Sequence, residues 1–150
     1  MPPVATPDFE ARTRASFARQ AAMATLGITL ERAEPGLVEL ALMHRPDLTQ
    51  QHGFLHAGIV STALDSACGY AAFTLMPPEA AVLTIEFKVN LLAPARGPRL
   101  RIEGQVVKAG RTISVVDARA WQRGPDDAAD TLVATMTATV MTVLGRGIAG

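Results

Sequence analysis

Asp65 is the one acidic residue in residues 56–75, a stretch otherwise apolar or small that carries no Lys or Arg. An ionised carboxylate in such surroundings is costly unless it is solvated or hydrogen-bonded. Two readings stand. Asp65 is placed for chemistry, because perturbed charges gather at functional sites; or it lies on the segment's one wet edge or partners an arginine. Upstream, His56-Ala57-Gly58 falls where the segment begins. The first turn of a helix offers unpaired N–H groups and the positive end of the dipole. Such donors can polarise a carbonyl and hold the oxyanion that forms when it is attacked. Small residues at 57 and 58 would let a carbonyl come close. A plain helix start is the commoner explanation of the same residues.

Spacing imposes a condition on the first reading. Ala57 and Asp65 are eight residues apart, which is ~12 Å of helical rise. One carbonyl carbon cannot touch both. If both act on one carbon they must come from different subunits, and a two-fold dimer with antiparallel helices would bring each helix start toward the other chain's Asp65. The spacing therefore predicts a composite site in an obligate dimer, provided both roles are real.

The elements that would position these residues are legible in the periodicity. Thr6 is a candidate N-cap with Pro7 behind it, and Phe9, Phe17, Ala21 and Ala24 predict a first helix ending near Gly27. Strands are expected at residues 28–34 and 37–43, joined by Pro35-Gly36. A polar, irregular stretch follows to residue 53. Residues 56–75 are too long and alanine-rich for a strand and predict a buried helix. Residues 81–92 alternate, with Ile85, Phe87, Val89 and Leu91 on one face and Thr84, Glu86, Lys88 and Asn90 on the other. Further strands are expected at residues 100–108, 112–121 and 132–143, with a polar loop at 123–130. A long apolar helix needs a surface covering most of its circumference, which a strongly curved antiparallel sheet supplies, giving an α+β fold. The chain reads as a single domain over 1–150, with loose tails at 1–5 and 145–150.

These residues resemble a known family. Gln50-Gln51-His52-Gly53-Phe54-Leu55-His56-Ala57-Gly58, followed by Asp65, resembles the PaaI-like branch of hotdog-fold acyl-CoA thioesterases, whose pattern is Asn-x-x-Gly-x-x-His-Gly-Gly and then a carboxylate on the central helix. Residues 84–94 look like the family's next strand and residues 108–112 like its later hairpin, so the resemblance covers roughly residues 28–143. It implies a hotdog fold, a sheet of about six strands around one buried helix, and hydrolysis of an acyl-CoA thioester without a metal or other cofactor. It implies Asp65 as nucleophile or general base and the Ala57 N–H as oxyanion donor. Gln50 would position the thioester or the water, and His56 would orient the loop or contact the carbonyl. Thr84 matches a Ser/Thr position close to the carboxylate, although strand alternation alone makes it a solvent-facing threonine. Ala57 in place of the pair's first glycine keeps the donor and suggests a tighter acyl entrance. Gln50 in place of Asn must sit farther back.

An acyl-CoA substrate carries phosphates, so a basic residue is expected at the mouth of its site. Arg96, Arg99, Lys108 and Arg111 lie beside turns, where a solvated charge is the plain explanation; Arg111 comes first because it also matches the family hairpin. Gly58 would admit the substrate and Asn90 would contact the pantetheine arm. With 14 basic and 14 acidic residues the net charge is zero, so no electrostatic footprint for nucleic acid or an anionic membrane is expected. Cys68 is the sole cysteine, which excludes a disulfide within the chain and reads as a small core residue. His52 and His56 have metal-ligand spacing, but Gly53 intervenes and no Cys or carboxylate completes a set. Gly-x-Ser-x-Gly and Gly-x-Gly-x-x-Gly are both absent, which disfavours a serine hydrolase and a Rossmann site. Without a signal-peptide run or membrane span, a cytoplasmic homodimer or homotetramer is expected. The alternative is a non-catalytic acyl-CoA-sensing hotdog domain; a hotdog dehydratase comes last.

Overall fold

The computed structural model describes residues 3–124 and 129–150. In chain order the elements are α1 (Phe9–Ala18), α2 (Ala21–Leu26), β1 (Thr29–Glu34), β2 (Leu37–Met43), a 3-10 turn (Pro46–Leu48), α3 (Ala57–Phe73), β3 (Ala81–Leu91), β4 (Arg99–Lys108), β5 (Ile113–Gln122) and β6 (Thr131–Val143). The six strands form one antiparallel sheet in the order β1-β2-β4-β5-β6-β3. α3 packs against β2, β3, β4, β5 and β6. The sheet thus wraps the helix, which is the hotdog arrangement expected above.

Register explains how tightly it wraps. Val38, Gly104, Ala118, Met136 and Val89 lie side by side across β2, β4, β5, β6 and β3. The first four point inward, and the three side chains among them are buried. Gly104 lies directly beneath Ala67 of α3, whose carbonyl oxygen would meet any Cβ added there. Small residues on both surfaces bring helix and sheet together. Every residue of α3 from Ser66 to Phe73 is buried, whereas Asp65 is only half-buried.

Four local expectations are corrected. The first helix is broken, with Gln20 in an extended conformation between α1 and α2. Phe17 and Met23 are both buried, yet six residues on a straight helix would point them ~120° apart. The break lets both face the core and leaves Ala21 and Ala24 exposed. Asp8 rather than Thr6 is the N-cap residue, and Thr6 donates its hydroxyl to the Asp8 carboxylate at 2.6 Å. The tail at 145–150 turns back at Gly145 and Gly147, which have φ of 65° and 74°. Its last residue, Gly150, donates its N–H to the Ala80 carbonyl at 2.9 Å.

The fourth correction bears on the site. The β3–β6 register shifts between Thr84 and Glu86, so Ile85 is the extra residue of a bulge. Thr84 then pairs with Val140, and Phe87 with Ala138, both buried inward-facing residues of β6. Thr84 therefore shares the inner face with Phe87, Val89 and Leu91 and does not lie opposite them. The loop expected at 123–130 lies partly outside the described residues. Among the described residues no helix is long and apolar enough to cross a membrane.

Candidate active site

α3 begins where the loop of residues 44–56 is pinned to its surroundings. His56 donates its N–H to the Leu48 carbonyl and Leu55 donates to Ala95, both at 2.9 Å. Gln50 donates to the Phe54 carbonyl at 2.9 Å, and Gly53, at φ 82°, closes the turn by donating to Gln50 at 3.0 Å. The Gln50 side chain accepts the His52 N–H. These bonds leave His56 extended at φ −61° and ψ 137°, as the N-cap of α3.

The first-turn donors are then divided. The Gly58 N–H goes to His56 Nδ1 at 2.9 Å. Ile59 and Val60 donate to the His56 carbonyl at 2.9 and 3.2 Å. Ala57, the first residue of the helix, is the donor left without a protein partner among the described residues. Because Nδ1 accepts, a neutral His56 carries its proton on Nε2 and presents it as a second donor. A Cβ at residue 58 would stand 3.1 Å from His56 Nδ1, which is why glycine suits this cap.

Asp65 lies two turns further along α3. Thr84 Oγ1 donates to Asp65 Oδ1 at 2.7 Å. This neutral donor occupies one carboxylate oxygen, and no bond among the described residues engages the other. Among the described residues Asp65 thus has no arginine partner, and its helix edge opens toward β3. Three residues on, Cys68 is fully buried, and burial pushes its thiol well above its ordinary value, with the Asp65 and Asp117 charges adding to the effect. It is a neutral core residue and not a nucleophile.

A cleft of about 360 Å³ opens beside the helix start, lined by Gln50, Phe54, Ala57, Val60, Leu91 and Val133 among others. Its walls are mainly apolar, with Gln50 as the polar side chain among them. Gln50, His56, Ala57 and Gly58 therefore lie together at one end of α3, while Asp65 and Thr84 form a pair mid-helix. Asn90 faces away, on the outer side of the sheet, donating to Thr135 at 3.2 Å. Lys108 is exposed at the end of β4. Arg111 borders a separate cleft of about 350 Å³ with Ala72, Leu75, Met76 and Gly110, at the opposite end of α3. Of the four basic residues considered, Arg96 is the one beside the first cleft, its guanidinium 4.6 Å from the Phe54 ring centroid. The cleft wall at residues 91–95 was not anticipated. The signal for it was the apolar run Leu91-Leu92-Ala93-Pro94-Ala95, placed where a strand stops.

Comparison with known proteins gives concordant results. A family model described as the thioesterase superfamily matches residues 52–129. The crystal structure of a thioesterase family protein from Silicibacter pomeroyi superposes with a TM-score of 0.87 at 56% identity, covering 91% of this chain and 99% of that one. The Escherichia coli PaaI protein of the phenylacetic acid degradation operon superposes with a TM-score of 0.79 at 18% identity, over 91% and 94% of the two chains, a likeness of fold. A Salmonella typhimurium protein named as a medium/long-chain acyl-CoA thioesterase is 29% identical over 131 residues, 77% of this chain and 81% of its own. The chain spans 63% to 65% of the length of three archaeal relatives that it matches at 33% to 37% identity.

Proposed function

This chain belongs to the thioesterase superfamily, and from that premise we propose that it hydrolyses an acyl-CoA, with a small aryl or medium-chain acyl group, to free acid and CoA. The observation that carries the reading is the Asp65–Thr84 pair. A half-buried carboxylate on an apolar helix has one oxygen held at 2.7 Å and the other without a partner among the described residues. The thioester carbonyl binds at the helix start, where the Ala57 N–H and His56 Nε2–H receive the developing oxyanion. Gln50 flanks this point, and the apolar cleft takes the acyl chain. Asp65 of the partner subunit attacks the carbonyl carbon directly or takes a proton from the water that does. The tetrahedral intermediate collapses with cleavage of the C–S bond, and the CoA sulfur leaves and takes up a proton; on the direct route the acyl group is left as a mixed anhydride with Asp65, which water then hydrolyses to the free acid and the restored carboxylate. No step requires a metal or redox cofactor.

The working unit in this reading is at least a homodimer, with a homotetramer built from two of them. Support comes from β3, an edge strand of eleven residues. Leu83, Ile85, Phe87 and Leu91 on it are 44% to 54% exposed. A long apolar edge is an aggregation hazard unless another chain covers it, and Asp65 opens toward this edge.

The test is hydrolysis of an acyl-CoA panel by the wild type, Asp65→Asn and Asp65→Ala. Both variants are expected to lose activity by about 10²-fold or more, the scale of a general base, with the circular-dichroism spectrum unchanged. Full activity in both would refute the assignment.

A further inference from the structure

We propose that Arg96, stacked on Phe54, is the substrate-anion reader of this cleft, binding a phosphate or carboxylate that the thioester carries away from its reacting carbonyl. The proposal rests on the thioesterase reading and assigns the charged end of the same site.

Three observations lead to it. The first is position: the Arg96 guanidinium lies 4.6 Å from the ring centroid of Phe54, a residue that lines the same cleft as Ala57. The second is an uncompensated charge. Arg12, Arg14, Arg32, Arg45, Arg99 and Arg101 each lie within 4 Å of a carboxylate, whereas Arg96, like Arg19, Arg111, Arg119 and Arg146, has no such partner among the described residues; of these five, Arg96 is the one stacked on a residue of this cleft. It is exposed, and among the described residues its guanidinium meets the face of an aromatic ring. A guanidinium resting on a ring keeps its planar fork of donors free, and that fork suits two-point binding of phosphate or carboxylate.

The third observation is a fixed stem. The Arg96 backbone N–H donates to Gln122 Oε1 at 2.8 Å, while Gln122 Nε2 donates to the Pro94 carbonyl at 3.2 Å. Gln122 at the end of β5 thus staples residues 94–96. Leu55 donates to Ala95 at 2.9 Å and ties that segment to the loop entering α3. Arg96, Phe54 and the helix start are therefore one connected structure. Such prior ordering lowers the entropy lost when a ligand binds.

The anion has two chemical sources: the phosphates of the CoA carrier, or a carboxylate at the far end of the acyl chain. Steady-state kinetics of the wild type and Arg96→Gln on three thioesters separate them. These are octanoyl-CoA, octanoyl-N-acetylcysteamine, which has no anion, and suberyl-N-acetylcysteamine, whose only anion is on the acyl group. A phosphate reader raises KM about tenfold or more for octanoyl-CoA alone. A carboxylate reader does so for the suberyl ester and spares both octanoyl esters. In either case kcat changes by no more than about twofold, as for loss of uniform binding. Unchanged KM on all three, or an equal loss that includes the neutral ester, overturns the proposal. If the wild type hydrolyses none of them, the medium-chain reading of the substrate fails on its own, and calorimetric titration with CoA and with suberate still decides. Weaker binding of either by Arg96→Gln supports the anion reader; equal binding, or none by the wild type, overturns it.

Discussion

Thr84 shows how far a single residue's role depends on backbone that composition does not reveal. Counting by twos along residues 81–92 puts it opposite Phe87, in solvent. The bulge at Ile85 reverses that count and delivers its hydroxyl to Asp65 at 2.7 Å. If the bond orients the carboxylate, Thr84→Val should lower kcat by about tenfold, the worth of one hydrogen bond to a charged group, with KM little changed. Thr84→Ser, which keeps the hydroxyl, should restore most of it. Equal kcat for wild type and Val would reduce the bond to a structural one. Asp65 itself was legible, because a lone acid in an apolar segment is visible in the sequence. The division of donors at the helix start was not. It depends on the ring of His56 folding back to Gly58, which is a matter of rotamer and not of residue type.

At the scale of elements, sequence pattern located all six strands, by alternation and by the turn signals between them, and α3, by its length and alanine content. It missed the break between α1 and α2, where Arg19-Gln20 carries no Gly or Pro signal and the demand comes from burying Phe17 and Met23 together. The contact of α3 with the sheet was likewise invisible, since Gly104 reads as an ordinary strand glycine. Gly104→Ala forces a methyl against the Ala67 carbonyl and should cost about 1–3 kcal/mol, as overpacking does; urea denaturation would measure it. Cys68, on the same helix, carries a pH prediction. Its folded-state pKa is raised from 9.0 by burial, so the folded state holds this proton more tightly than the unfolded chain. The stability this contributes is complete below pH 9.0 and is lost as pH rises above that value. Melting temperature should therefore fall above that pH, less so in Cys68→Ala. Iodoacetamide at pH 8 should label Cys68 in urea and spare it in the native protein.

At the scale of the whole molecule, one chain holds the two halves of the proposed chemistry apart, with the proposed oxyanion donors at the start of α3 and the Asp65 carboxylate two turns along. Helix pitch alone made that separation legible, but a partner's position is not written in one chain's periodicity. Complementation tests the consequence directly. Ala57 is the first residue of α3, where proline is tolerated, and the preceding His56 already has the extended backbone that proline requires. Ala57→Pro therefore removes the free N–H with little disturbance of the helix. Ala57→Pro and Asp65→Asn homodimers should each be nearly inactive. Unfolded together and refolded at equal concentrations, half the dimers would be mixed. Each mixed dimer would join the intact Ala57 of one chain to the intact Asp65 of the other, giving one working site of two. About a quarter of wild-type activity should return if subunits pair at random across the two-fold axis. A site contained within one chain would give no recovery, because every chain in the mixture lacks one of its two groups.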